Sequence, residues 1–453
     1  MSISAQHVFR PGDTGYAEEL AGFQTGFAVR PELIVGATDA EEVRAAVAHA
    51  AAHGLPVGVQ ATGHGLPGAA EGGVLITTRR MDEVRIDPEA RTARVAAGVR
   101  WGQVVEAAAP YGLAPLDGSA PGVGAVSYTL GGGLGILARE FGWTADHVRS
   151  LDVVTADGTL RRVTAAGDPE LYGGLLGGGH GLGVVTALEV GLVPVARLYG
   201  GALSFDGAET DPATVLRTYK EWTETLPDTL TSSLAALVHP DVPALPPHLR
   251  GRYVISVRVA FTGDAAEGER LVAPLRAIGP ALSDSLREMS YTESHTIHSD
   301  PDFPHAYWGD GILVSELDPD AAASVLDLTG PKAGRMAVVQ INHLGGALAE
   351  ERPNSVPYRE AGFLVRALYP LDEEGTGPVR ELHARVEAAL APRTLGRALN
   401  FVFGDGERTE GLYDAETRKR LAGLKSQVDP ANLFRRPLFS AKEGAGPVSP
   451  SGR

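Results

Sequence analysis

At 453 residues the chain exceeds what one hydrophobic core ordinarily serves, so two domains are the first expectation. A net charge of −16 opposes nucleic-acid binding, which rests on Lys and Arg neutralising phosphates, and the absence of cysteine removes disulfides, zinc–thiolate sites, iron–sulfur clusters and thiol nucleophiles. No run of about 18 apolar residues and no H-E-x-x-H spacing is present, so neither a membrane span nor a resident metal is expected.

Residues 1–14 lack a basic start with an apolar core behind it and lack a twin arginine, which makes a cytoplasmic location the simplest expectation. Thr38-Asp39-Ala40-Glu41 reads as a capping box with Thr38 at the N-cap. An Ala-rich helix follows to about His53, and Gly54 stops it. Short strands are predicted at 55–59, 73–77, 92–96, 151–155 and 183–193. Three glycine-dense runs lie among them, at 61–73, 118–135 and 173–183.

Past Pro194 glycine thins and longer alternating strands appear. Residues 252–261 place Tyr253, Ile255, Val257, Val259 and Phe261 on one face. Residues 337–343 and 361–369 are two further strands, and helices are predicted at about 212–226, 265–278, 320–327 and 378–391. This pattern predicts an α+β region built on a mostly antiparallel sheet with helices on one face. A last unit spans 400–439 with a helix at 415–428, and a Gly-, Pro- and Ser-rich tail at 441–453 reads as disordered.

The glycine runs carry the chemistry. Without side chains, backbone N–H groups approach a ligand closely, and successive inward N–H groups form an anion-binding concavity. Three such loops in one half of the chain fit a pyrophosphate joined to a flat ring system better than a lone phosphate. Gly131-Gly132-Gly133-Leu134-Gly135 and Gly178-Gly179-His180-Gly181-Leu182-Gly183 approximate a dinucleotide fingerprint. Neither opens a first βα unit with an acidic residue about 20 positions on, as that fold requires.

The order of motifs is more specific. Ala61-Thr62-Gly63-His64-Gly65 is followed by Gly118-Ser119-Ala120-Pro121-Gly122-Val123-Gly124, then by Tyr128-Thr129-Leu130-Gly131-Gly132-Gly133-Leu134-Gly135. After these come residues 151–158, the run at 177–186, and Asp429-Pro430-Ala431-Asn432-Leu433-Phe434-Arg435. The series, over about residues 28–440, resembles the berberine-bridge-enzyme-like branch of the vanillyl-alcohol-oxidase (PCMH-type FAD-binding) flavoprotein family. The resemblance implies a two-part FAD-binding domain, residues 1–195 and 396–440, with a substrate domain inserted at 196–395. It also implies FAD joined covalently through His64. Thr62, Gly63, Gly65, Gly118, Ser119, Ala120, Val123, Gly124, Tyr128, Thr129, Gly132, Gly133, Gly183 and Val185 are the implied cofactor-binding residues. A neutral imidazole is a good nucleophile near neutral pH, which suits that bond.

Three departures shape the functional expectation. Ala120 stands where many relatives carry a second, cysteinyl tether, so only the single His64 link is open. Val123 lies at the position that relatives use to control oxygen access, where valine favours an oxidase over a dehydrogenase. Ala398-Leu399-Asn400 replaces Tyr-x-Asn, keeping Asn400 and losing the catalytic base. Replacement site residues are sought at Glu293, His295, His298, His305 and Tyr307 in the aromatic stretch 291–308, and at Tyr128. Gln340 and Asn342, which share one face of their strand with Val338, are further candidates.

The expected function is an FAD-dependent oxidase that takes a hydride from a small organic amine or alcohol and passes electrons to O2, giving H2O2. A dehydrogenase with another acceptor, or a flavin-dependent cyclase or isomerase, is the alternative. The Ala, Gly and Arg richness suggests a GC-rich bacterial genome; relatives in such genomes often act on natural products, so the resemblance implies a natural-product substrate, for a monomer or homodimer.

Overall fold

The computed structural model describes residues 7–65, 68, 70–404 and 409–435; the tail expected at 441–453 lies outside the described residues. Residues 8–191 hold two main sheets and a short two-stranded one. Val8–Phe9, Leu33–Gly36, Val74–Thr77 and Val57–Gln60 form a four-stranded sheet in that order, and the last three strands run parallel. The helix Ala40–His53 packs on it through Val43, Ala46, Val47 and Ala50. Asp39, not Thr38, is its N-cap: the Asp39 carboxylate accepts from the amides of Glu41 and Glu42, while Thr38 bonds Glu42. A one-residue shift satisfies two orphan amides with one carboxylate. Gly54 closes the helix at φ 65°, as expected.

The second sheet is antiparallel, in the order Leu160–Val163, Val148–Val154, Val184–Gly191, Thr92–Ala96 and Val84–Asp87. The end of the chain returns to this half. Buried Asp429 accepts from the amides of Leu433 and Phe434, whose side chains enter the core of the first sheet. Lys425 on the helix Ala415–Val428 donates to the carbonyls of Gly181 and Phe434 at 2.8 Å.

Between these parts lies a nine-stranded sheet whose ladders are all antiparallel. Its centre runs Arg197–Asp206, Tyr253–Phe261, Leu230–Val238, Val338–His343, Phe363–Pro370, Tyr307–Val314 and Thr394–Arg397. Alternate residues, among them Phe205, Leu234, Ile255, Val257, Ile341 and Val365, form a core against the helices Pro212–Thr223, Ala265–Arg276, Pro319–Thr329 and Gly377–Leu390. That is the expected antiparallel sheet with helices on one face.

The strand Tyr307–Val314 was not among the predicted strands. The segment reads YWGDGILV, with every residue buried, and its two glycines and an aspartate hide the strand signal. Phe401 and Phe403 fill the space that side chains at Gly311 and Gly309 would need, and Asp310 is held by Arg397 and by His383 at 3.2 Å. The strand Thr394–Arg397 continues this sheet across the expected boundary at 395/396. Among the described residues no helix is long and apolar enough to cross a membrane.

Candidate functional site

The strand Val57–Gln60 delivers the chain into the first glycine run. Gly63 takes φ 75°, and a Cβ there would lie 2.8 Å from the Cα of Gly22, so only glycine fits. The backbone is tied down by Phe23 N–H to Thr62 O at 2.9 Å and Gln24 N–H to Gly63 O at 3.2 Å. The ring of Phe23 thereby stacks on His64, with centroids 3.8 Å apart and planes 13° from parallel. Nδ1 of His64 is 2.8 Å from the Thr62 hydroxyl, and the Tyr307 phenol donates to the His64 carbonyl at 2.6 Å. His305 stands edge-on to Phe23 at 5.3 Å. Burial, then the charges of Arg100 and His305, lower the His64 pKa to about 4, so its imidazole is neutral at neutral pH.

The second glycine run closes on the first. A Cβ at Gly122 would come within 3.9 Å of His64 Nε2, and one at Gly124 within 3.6 Å of the Thr62 hydroxyl; Gly65 faces open space. Ser119, Ala120 and Val123 line the same half-buried loop. Beyond it the helix Ala125–Leu130 carries Tyr128, whose ring lies against Gly118 and Gly133 and meets Trp101 edge-on at 5.7 Å. Asn400 donates to the Tyr128 carbonyl at 2.9 Å and occupies the space that a side chain at Gly131 would need.

The third run differs from expectation. Residues 177–183 are buried apart from a half-buried His180, and their glycines serve close packing. A Cβ at Gly177 would meet the Val356 amide at 2.4 Å, and one at Gly183 the side chain of Val153 at 2.7 Å. Val185 belongs to the core, and fully buried Thr129 spends its hydroxyl on the Ala125 carbonyl. Gly132 likewise abuts Trp143.

Between the second run and the nine-stranded sheet lies a partly open cavity of about 40 Å³. Its floor includes Ser119, Leu134 and Ile136, and its roof carries Ser233, Arg258, Gln340, Asn342 and Arg366. The register explains the roof. Arg258 pairs Ser233, Ser233 pairs Asn342, and Gln340 pairs Arg366, so all five project from the face opposite the apolar core. Gln340 and Asn342 therefore line the cavity from the strand face they were expected to share.

The stretch 291–308 divides. His305 and Tyr307 reach His64, and His298 lines the cavity. Glu293 does not reach the site: it caps the short helix Tyr291–Ile297 and pairs with Arg287 at 2.7 Å on the surface. His295 is exposed and bonds Thr292 O. Ala398, where a base was sought, is a buried core residue.

Sequence reasoning missed Phe23, Arg258 and Arg366. The arginines carried a signal, since each interrupts an apolar strand on the alternation that places Gln340 and Asn342 on the roof.

The residues fit a flavin nucleotide. Two glycine runs converge on a neutral histidine beside open space, and the phenol of Tyr128, Oδ1 of Asn342 and Nδ1 of His298 are buried without a partner among the described residues. His64 and the first two runs would hold the group.

Comparison with known proteins agrees. Residues 31–164 match the FAD-binding-domain family model. The chain is 28% identical to (R)-6-hydroxynicotine oxidase of Paenarthrobacter nicotinovorans, covering 98% of each chain. It superposes on the crystal structure of 6-hydroxy-D-nicotine oxidase from Arthrobacter nicotinovorans with a TM-score of 0.84 at 25% identity, covering 97% of this chain and 99% of that one. A berberine-bridge-enzyme-like protein of Physcomitrella patens shares the fold at a TM-score of 0.81 and 18% identity, with 95% and 96% covered. The fold and the site thus define an FAD-dependent oxidoreductase. The chain carries an FAD-binding domain and is similar over nearly its whole length to an FAD-linked oxidase.

Proposed function

We propose that the chain is an FAD-linked oxidase of a small organic substrate, with residues 1–195 and 396–440 as its cofactor half and 196–395 as its substrate half. The carrying observation is the cavity enclosed between the second glycine run and the polar sheet face, one loop away from His64. FAD, when bound, supplies a two-electron acceptor for substrate hydride and returns the electrons to O2 as H2O2.

We further propose a single covalent tether at His64. The Phe23 stack and the Thr62 hydroxyl fix the imidazole plane, desolvation keeps it neutral, and Nε2 is left as the free nucleophilic nitrogen. Tyr307, itself aligned by Gln24 at 2.7 Å, pins the backbone of that loop. Asn400 fixes the helix carrying Tyr128, and burial raises the Tyr128 pKa so the phenol stays protonated. Asn342 and Gln340 orient polar groups of the substrate. No tyrosine base is present at Ala398, so an amine, which can release hydride unassisted, suits the site; a hydroxyl would need His298 as proton acceptor.

The test is anaerobic mixing of the purified protein with candidate amines and alcohols. Bleaching of the oxidised-flavin band, followed on aeration by recovery and one H2O2 per substrate, supports the oxidase. Bleaching without recovery in air favours a dehydrogenase using another acceptor. Product formed with no bleaching favours the cyclase or isomerase reading, which the loss of the base at Ala398 keeps in play.

A further inference from the structure

The cavity roof holds two guanidinium groups with too few partners. Among the described residues Arg258 donates only to the His298 carbonyl, at 3.4 Å, and Arg366 only to the Gln340 side chain, at 3.1 Å, while lying 4.0 Å over the ring of Phe401. Each guanidinium has five N–H donors, and among the described residues neither has an ion-pair partner beside the contacts named. Asp300 is the nearest acidic group, and it is engaged by the Ser119 hydroxyl. His298, held neutral by burial and by Arg258, adds no positive charge. Arg366 remains a cation at neutral pH, although desolvation brings its pKa down to about 10.

Enclosed cations in proteins are ordinarily paired, because an uncompensated charge away from water is costly. Here two cations face one anion in a cavity that also presents the apolar side chains of Leu134, Ile136, Ile297 and Phe401. We infer that the substrate is a small organic carboxylate with an apolar body, its carboxylate held by Arg258 and Arg366 from the sheet face. The planar fork of arginine matches a carboxylate two-to-two, and Asn342 Oδ1, which lacks a donor, can accept from an N–H or O–H elsewhere on the substrate. The inference rests on the cavity being the substrate site of the oxidase proposed above, and it adds the class of substrate.

The test uses the yellow holoenzyme and reads perturbation of the oxidised-flavin spectrum, which needs no turnover. Benzoate and nicotinate are titrated beside benzamide, nicotinamide and inorganic phosphate. Both carboxylates should perturb the spectrum and bind at least tenfold more tightly than their amides. Arg258→Met and Arg366→Met should each weaken carboxylate binding by about tenfold to a hundredfold, with amide binding unchanged. Arg258→Lys and Arg366→Lys, which keep the charge and spare the fold, should lose part of that affinity. A yellow enzyme on which amides or phosphate bind as well as carboxylates, or which neither carboxylate perturbs, overturns the inference alone. So does an Arg366→Met enzyme with an altered flavin reduction potential and unchanged carboxylate affinity. A colourless protein that does not take up FAD overturns the oxidase reading itself.

Discussion

The two faces of the nine-stranded sheet come from the same strands and do opposite work. One buries Phe205, Leu234, Ile255, Val257 and Ile341 under four helices; the other aims Arg258, Ser233, Asn342, Gln340 and Arg366 at a cavity. A period of two lets one segment serve stability and recognition without compromise, because neighbouring residues never share a face. Stability and function should therefore separate by residue parity along a strand.

The largest expected effect breaks the apolar face. Phe205→Ala empties a fully buried site and should cost about 3–5 kcal/mol of stability, read by denaturant unfolding, while carboxylate affinity of the folded enzyme stays unchanged. An effect of similar size is expected below that face, where Arg397 spans Asp310 and Glu387. Arg397→Met takes one cation from fully buried Asp310, whose contact with His383 remains, and should cost up to roughly 3–5 kcal/mol.

A pH experiment sharpens the comparison at the cavity's edge. Burial raises Asp117 to about 7, with Tyr291 donating to it at 2.6 Å. A carboxyl whose folded pKa exceeds its unfolded value binds more protons when folded, so its contribution to stability is full below about pH 4 and is lost as pH rises towards 7. Asp117→Asn should remove that decline: relative to wild type, the variant gains stability at pH 8 compared with pH 4, measured by thermal unfolding at both. The smallest effect belongs to the polar face. Asn342→Leu removes a buried oxygen that has no partner, so stability should change by less than about 1 kcal/mol, while steady-state turnover falls.

Much of this was legible in the sequence. Alternation at Tyr253, Ile255, Val257 and Val259 gave the sheet and its buried face, and the order of the glycine runs pointed to the two loops that close on His64. The third run misled because glycine composition is the same whether it admits a ligand or a neighbouring backbone; Gly177 and Gly183 do the second. Glu293 misled for a related reason, since a carboxylate three residues into a helix is as readily a cap as a catalytic group. Phe23 could not be foreseen at His64, because only the tertiary ladder between residues 23–24 and 62–63 brings them together. Arg258 and Arg366 needed the strand register, which joins positions more than 100 residues apart through two intervening strands.

The account depends most on His64 as the tether of FAD, and intact mass of the denatured polypeptide tests it most directly. Wild-type protein should carry the added mass of one FAD, and His64→Ala should show the bare chain while releasing its yellow colour into the acid supernatant. A wild-type chain with the mass of the polypeptide alone, from protein purified yellow, would contradict the tether.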